Sequence, residues 1–133
     1  MSPLIVLLVF FLPPPGDLVS AELEILKGAY VVEGGSLPEE IRRRMRVVIE
    51  DGVLTLEDGE QRTALSIRLD PTQVPRQINL IKGQRVARGI YEMKGDQLTL
   101  CYEVNEGQPR PRKLAVVHGS EILLILKRVP KSP

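Results

Sequence analysis

The chain of 133 residues has no tryptophan, one cysteine and one histidine. Its two phenylalanines, Phe10 and Phe11, both lie near the start, so Tyr30, Tyr91 and Tyr102 are the aromatic side chains of everything that follows. A core must therefore be built from Leu, Ile and Val. A single cysteine, Cys101, cannot form an internal disulfide, so the fold has to stand without covalent staples. One His and one Cys do not supply the three or four ligands of a zinc site. Charge of one sign is also lacking: the formal net charge is +1. Such a balance creates no long-range field to attract nucleic acid or an anionic membrane. Three tyrosines make poor stacking platforms for single strands, and no nucleic-acid partner is expected.

Apolar residues make up 43% and charged residues 26%, the balance of a globular chain rather than a disordered one. The length suits one domain. The longest apolar run, Leu4 to Leu12, has nine residues, about half of the roughly 20 that a membrane-spanning helix needs. It has the length of a signal-peptide core. Pro13-Pro14-Pro15-Gly16 is expected to end any helix there. Val19-Ser20-Ala21 offers small residues at a cleavage site. No Lys or Arg precedes the run, so its positive start is reduced to the amino terminus. The expectation is a signal peptide over 1–21, cleavage after Ala21, and one domain over 22–133. The protein would then be secreted or periplasmic, with no stable membrane span after cleavage.

Glycine-bearing turns punctuate the remainder at short intervals: Asp51-Gly52, Asp58-Gly59, Lys82-Gly83, Gly95-Asp96, Glu106-Gly107 and His118-Gly119. The segments between them alternate in polarity. Thr63, Leu65, Ile67 and Leu69 oppose Ala64, Ser66 and Arg68, and Leu98, Leu100 and Tyr102 oppose Thr99 and Cys101. A period of two marks strands with one buried face. Candidate strands span 28–33, 45–50, 53–57, 61–69, 76–81, 86–93, 97–104, 112–117 and 121–128. The last is apolar on both faces, which suits a covered strand or one that closes the sheet against the first. One short helix is expected near residues 37–44. There Ser36 and Glu39 fit a capping box, Leu37, Ile41 and Met45 form an apolar stripe, and Arg42, Arg43 and Arg44 fill the last turn. Eight or nine antiparallel strands predict an all-β barrel, whose closure removes exposed edges.

The order of several short motifs resembles an uncharacterised domain family abundant in planctomycete bacteria. They are Leu26-Lys27-Gly28-Ala29-Tyr30, Leu37-Pro38, Asp70-Pro71-Thr72 with Pro75, Gly89-Ile90-Tyr91, Gly95-Asp96-Gln97-Leu98 with Cys101, Arg110-Pro111, and Leu126-Lys127-Arg128. The resemblance covers about residues 24–129. It implies a lipocalin-like barrel and export, and it carries no assigned activity. In lipocalins a tryptophan near the start seals one barrel end and an arginine of the last strand packs across it. By that analogy Tyr30 and Arg128 form the seal here, and the smaller ring of Tyr30 implies a less filled base.

Candidate chemistry is sparse. His118 sits beside a turn glycine and reads as a surface residue. Cys101 reads as a small packed apolar residue in mid-strand. The acids Glu39, Glu40, Asp51, Glu57, Asp58 and Asp96 read as helix-start and turn charges. The basic clusters Arg42-Arg43-Arg44-Met45-Arg46 and Arg110-Pro111-Arg112-Lys113 read as a helix end and a solvated loop. Asp70–Pro75 reads as a rigid connection into the next strand. The sequence thus assigns no catalytic, cofactor-binding or metal-binding residue, and no enzyme is expected. Two readings stay open. One is a binding module for a small apolar or amphipathic ligand inside the barrel. The other is a filled barrel that meets a cell-surface protein partner through its loops.

Overall fold

A computed structural model describes residues 15–130. Eight strands form a closed, all-antiparallel barrel in sequence order: β1 (Gly28–Gly35), β2 (Met45–Glu50), β3 (Val53–Asp58), β4 (Gln61–Asp70), β5 (Arg76–Lys82), β6 (Arg85–Lys94), β7 (Gln97–Glu103) and β8 (Glu121–Arg128). Helix α1 (Pro15–Leu26) precedes β1, and α2 (Glu39–Arg44) joins β1 to β2. Two-residue turns at 51–52, 59–60, 83–84 and 95–96 connect four of the hairpins. Asp51 and Gly52 both have positive φ, 53° and 73°, as a tight hairpin turn compatible with strand twist requires.

The pleat turns the alternating sequence into a core. Cross-strand register sets Tyr30 beside Val47, Leu54 beside Leu65, Ile67 beside Leu80, Tyr91 beside Leu100 and Leu98 beside Leu126. All of these except Leu65 are buried, and Leu65 packs against them half-buried. Burial of each large aliphatic side chain contributes about 1.5–3 kcal/mol.

The expected ninth strand at 112–117 does not form. β7 pairs directly with β8, and β8 closes onto β1, so no free edge remains for it. Residues 104–120 instead make a long connection over the outer face. The apolar outer side of β8 follows from both expectations: the strand closes the barrel, and its neighbourhood lies partly under this connection. Along β1 the register to β8 shifts between Val32 and Gly34. There Gly35 has φ +120°, and a Cβ on it would fall on the Leu123 carbonyl oxygen.

The short helix is shorter than expected. It starts at Glu39, with Pro38 extended before it and no side chain capping its N-terminus. The Ser36–Glu39 capping box is therefore absent. Ser36 serves β8 instead: its N–H donates to the Leu123 carbonyl and its hydroxyl accepts from the Leu123 N–H, each at 2.9 Å.

Helix α1 was not expected. Pro15 occupies its first turn, where no N–H is required; the apolar run Leu4–Leu12 and its expected end at Pro13 lie outside the described residues. Val19, Glu22, Leu23 and Leu26 follow at helical spacing and meet the barrel. The cleavage expected after Ala21 falls inside this helix.

Candidate functional site

The two ends of the barrel differ. At the end bearing the β2–β3, β4–β5 and β6–β7 turns, α1 closes the interior. Leu26 and Tyr30 are fully buried, and the Tyr30 hydroxyl donates to the Leu26 carbonyl at 2.6 Å. Arg128 donates to the Ile25 carbonyl and to the Tyr30 hydroxyl. Its guanidinium carbon lies 5.6 Å from the centre of the Tyr30 ring, within cation–π range. The pairing expected of Tyr30 and Arg128 is thus present. At this end Leu26 of α1 belongs to the core and Leu23 packs against it.

A polar anchor lies beside this plug. The Glu22 carboxylate, only 7% exposed, accepts from the Tyr91 hydroxyl at 2.9 Å and faces Arg76 at 3.7 Å. Burial, then the bond to Glu22, pushes the Tyr91 hydroxyl far above its ordinary range. Sequence reading missed this trio. Glu22 was counted as the first residue after a cleavage site, and nothing local pairs it with Tyr91, 69 positions away.

The opposite end stays open. A pocket of about 460 Å³ lies there, walled by Leu56, Thr63, Leu65, Leu80, Ala87 and Tyr102. Its origin is local. Where the other strands turn Leu or Ile inward, β6 presents Ala87 opposite Leu80, then Gly89 opposite Ile78 and Tyr102. Gly89 cannot be enlarged. A Cβ there would lie 2.6 Å from the Cys101 carbonyl oxygen and 2.9 Å from the Tyr102 Cβ. Gly89 lets β7 approach closely, and the small Ala87 side chain leaves room in the pocket that it lines. Burial in it raises the Tyr102 hydroxyl to about 12.

Charged groups ring the mouth. Lys82 and Arg85 face each other across the β5–β6 hairpin and continue the inward rows of Leu80 and Ala87. Glu106 joins them from the long connection. Its carboxylate accepts from the Val86 N–H at 3.3 Å, and its carbonyl accepts from Arg88 at 2.9 Å. The signal for this site was in the inward row of β6, where the small Ala87 lies between Arg85 and Gly89.

The residues singled out from sequence lie elsewhere. Cys101 is buried on the outer face of β7, its thiol 3.7 Å from the Ala115 carbonyl. Burial, then the charges of Glu121 and Glu103, raises that thiol to about 11, despite the opposing bond to Ala115. His118 is exposed in the long connection. Arg110 is no solvated loop residue: one of its terminal nitrogens donates to the carbonyls of Ile78 and Gly89, at 3.1 and 2.8 Å. It pins the long connection across β5 and β6. Glu121 holds the far end of that connection, accepting from the N–H groups of Val117 and His118 at 2.6 and 2.9 Å. Burial raises the Glu121 carboxyl, but these two bonds prevail and hold it below its ordinary value. Asp70 accepts from the Thr72 N–H and hydroxyl, which makes Asp70–Pro75 a self-bonded turn into β5. Arg43 and Arg44 pair with Glu39 and Asp58 on the surface.

Two further hollows lie outside the barrel. One, of about 520 Å³, is bounded by Pro109–Lys113, Val117, His118 and Glu121 of the long connection and its exit. Another, of about 700 Å³, lies against the outer side of β1 and β2 beside Glu24 and Pro130. The first rests largely on the irregular connection, and the second lies on the outer face of the sheet and not within the barrel. The mouth pocket is walled by strands whose backbone groups are fixed by neighbours on both sides, which makes it the preformed site. Comparison of the chain with protein-family models, curated proteins and solved structures finds no match.

Proposed function

We propose that the protein is an exported, non-enzymatic binding module that holds a small apolar or amphipathic ligand in the mouth of its barrel. One observation carries this reading. The α1 end of the interior is packed with aliphatic side chains, while the other keeps an aliphatic-walled pocket of about 460 Å³. Pockets for small molecules have volumes of roughly 300–1,000 Å³ and mostly apolar walls with a few polar groups. Thr63 and Tyr102 supply two hydroxyls among the aliphatic walls. A purely structural barrel has reason to fill each inward layer with a large side chain, and Ala87 places a small one in the wall of the pocket. This favours the ligand reading over a filled barrel that acts through its loops on a cell-surface partner.

The resemblance to the planctomycete domain family supports the frame rather than the ligand. Its positions Tyr30, Arg110 and Arg128 are the ones that lock the closed end and pin the long connection. Export rests on the apolar run Leu4–Leu12 and the small residues up to Ala21.

Titration of the purified chain with decanol, followed by calorimetry, tests the reading. Saturable one-site binding is expected. Ala87→Phe fills the pocket and should weaken it at least about tenfold, or ~1.4 kcal/mol, without lowering the melting temperature. Absence of saturable binding by any medium-chain amphiphile overturns the reading. Equal binding by Ala87→Phe moves the ligand out of the mouth.

A further inference from the structure

The charges at the mouth are unevenly satisfied. On one side of the rim, Asp58 and Glu57 are neutralised by Arg44 at 2.6 Å and Arg62 at 3.1 Å. On the other side, Lys82 and Arg85 stand directly opposite each other, and among the described residues neither forms an ion pair. Like charges directly opposite on neighbouring strands destabilise a hairpin. Both belong to inward rows and line the pocket at its solvent-exposed rim. Glu106 is the acid of that quarter, and its carboxylate is turned to the Val86 N–H. The two bases therefore leave one net positive charge over an aliphatic well.

Resting on the mouth-binding reading, we infer that the ligand is a single-chain amphiphile with an anionic head, a carboxylate or an anion of similar size. The head sits between Lys82 and Arg85, and the chain runs inward along Leu80, Ala87 and Leu65. Its length is bounded by the barrel. From Lys82 to buried Ile78 the strand descends four residues, about 13 Å, so a chain of medium length reaches the packed layer. Lys and Arg suit this task because their stems line apolar walls while their charged ends stay at the rim. The hydroxyls of Thr63 and Tyr102 line the same pocket and admit a polar substituent on the chain.

The test compares decanoate, decanol and decyltrimethylammonium at pH 8, titrated into the full chain and into Lys82→Gln/Arg85→Gln. Decanoate should bind about tenfold tighter than decanol, the worth of one charge-assisted hydrogen bond. The ammonium should bind weakest. In the double variant decanoate and decanol should bind alike, at an unchanged melting temperature. Equal affinities in the wild type, a preference for the ammonium, or a decanoate preference that survives in the double variant overturns the anionic head while leaving the pocket intact. Failure of all three probes overturns the binding reading itself. Both exchanged residues are exposed on the rim, and an unchanged melting temperature shows that the barrel has kept its shape.

Discussion

Arg128 lies across the face of Tyr30 at the closed end of the barrel, 5.6 Å from ring centre to guanidinium carbon. The same side chain donates to the Tyr30 hydroxyl and to the last turn of α1. It therefore joins the first strand, the last strand and the plug helix. Arg128→Ala removes these bonds and should cost about 1–3 kcal/mol in urea unfolding. Tyr30→Ala removes a fully buried ring and should cost about 3–5 kcal/mol. Decanol binding at the mouth should be unaffected by Arg128→Ala. Lost binding at unchanged stability would contradict a purely structural seal.

The strands were legible because the pleat writes itself into sequence. Thr63, Leu65, Ile67 and Leu69 alternate cleanly, and β4 carries them on one face. The segment 112–117 also carries apolar residues, yet strand identity there depended on a free edge, and the β8–β1 closure removed it. Ser36 was misread for a similar reason. A serine before Glu39 is a local capping signal, but its hydroxyl found a backbone donor 87 residues away, at Leu123. The mouth was only half legible. Ala87 and Gly89 were visible as small residues, but their meaning depends on which neighbours face them, which is a matter of register and not of local pattern.

Glu22 anchors α1, and its bond to Tyr91 predicts a measurable cost. Tyr91→Phe leaves a buried carboxylate without its hydroxyl donor and should destabilise the fold by about 1–3 kcal/mol. Amide exchange should speed up in α1 more than in β7. The position of Ala21 within the helix gives a companion prediction. A chain that begins at Glu22 lacks Val19, which packs against the core. It should unfold more easily than the full chain by about 1 kcal/mol. Equal stability would show that the first half of α1 adds nothing to the fold.

Acids raised by burial, Cys101 and Tyr102 among them, set the alkaline limit. The Cys101 thiol rises from 9.0 to about 11, mainly through burial. The Tyr102 hydroxyl rises from 10.0 to about 12 for the same reason. For each, the folded state holds its proton more tightly than the unfolded chain. The associated stability is therefore complete below the unfolded value and is lost as pH rises through the folded one. Melting temperature should hold steady to about pH 9 and then fall through pH 12. Cys101→Ala should remove the earliest part of that fall, between 9.0 and about 11. A flat profile in the wild type through pH 11 would contradict the burial of the thiol.

Arg110 pins the connection that covers the same cysteine. Cys101 lies on the outer side of β7, where Ala115 of the long connection covers it. That connection is held at one end by Arg110 on the Ile78 and Gly89 carbonyls and at the other by Glu121. In the wild type a thiol-labelling reagent should react slowly at pH 8, because the group is both covered and protonated. Arg110→Ala frees one end and should raise the labelling rate about tenfold, an opening made easier by ~1.4 kcal/mol. The contrast with global unfolding is the informative part. If the connection opens as a unit, the rate rises more than the loss of overall stability accounts for, and Lys82→Gln/Arg85→Gln leaves it unchanged. If the rate only tracks overall stability, Cys101 is exposed by unfolding alone and Arg110 is a general brace rather than the latch of this cover.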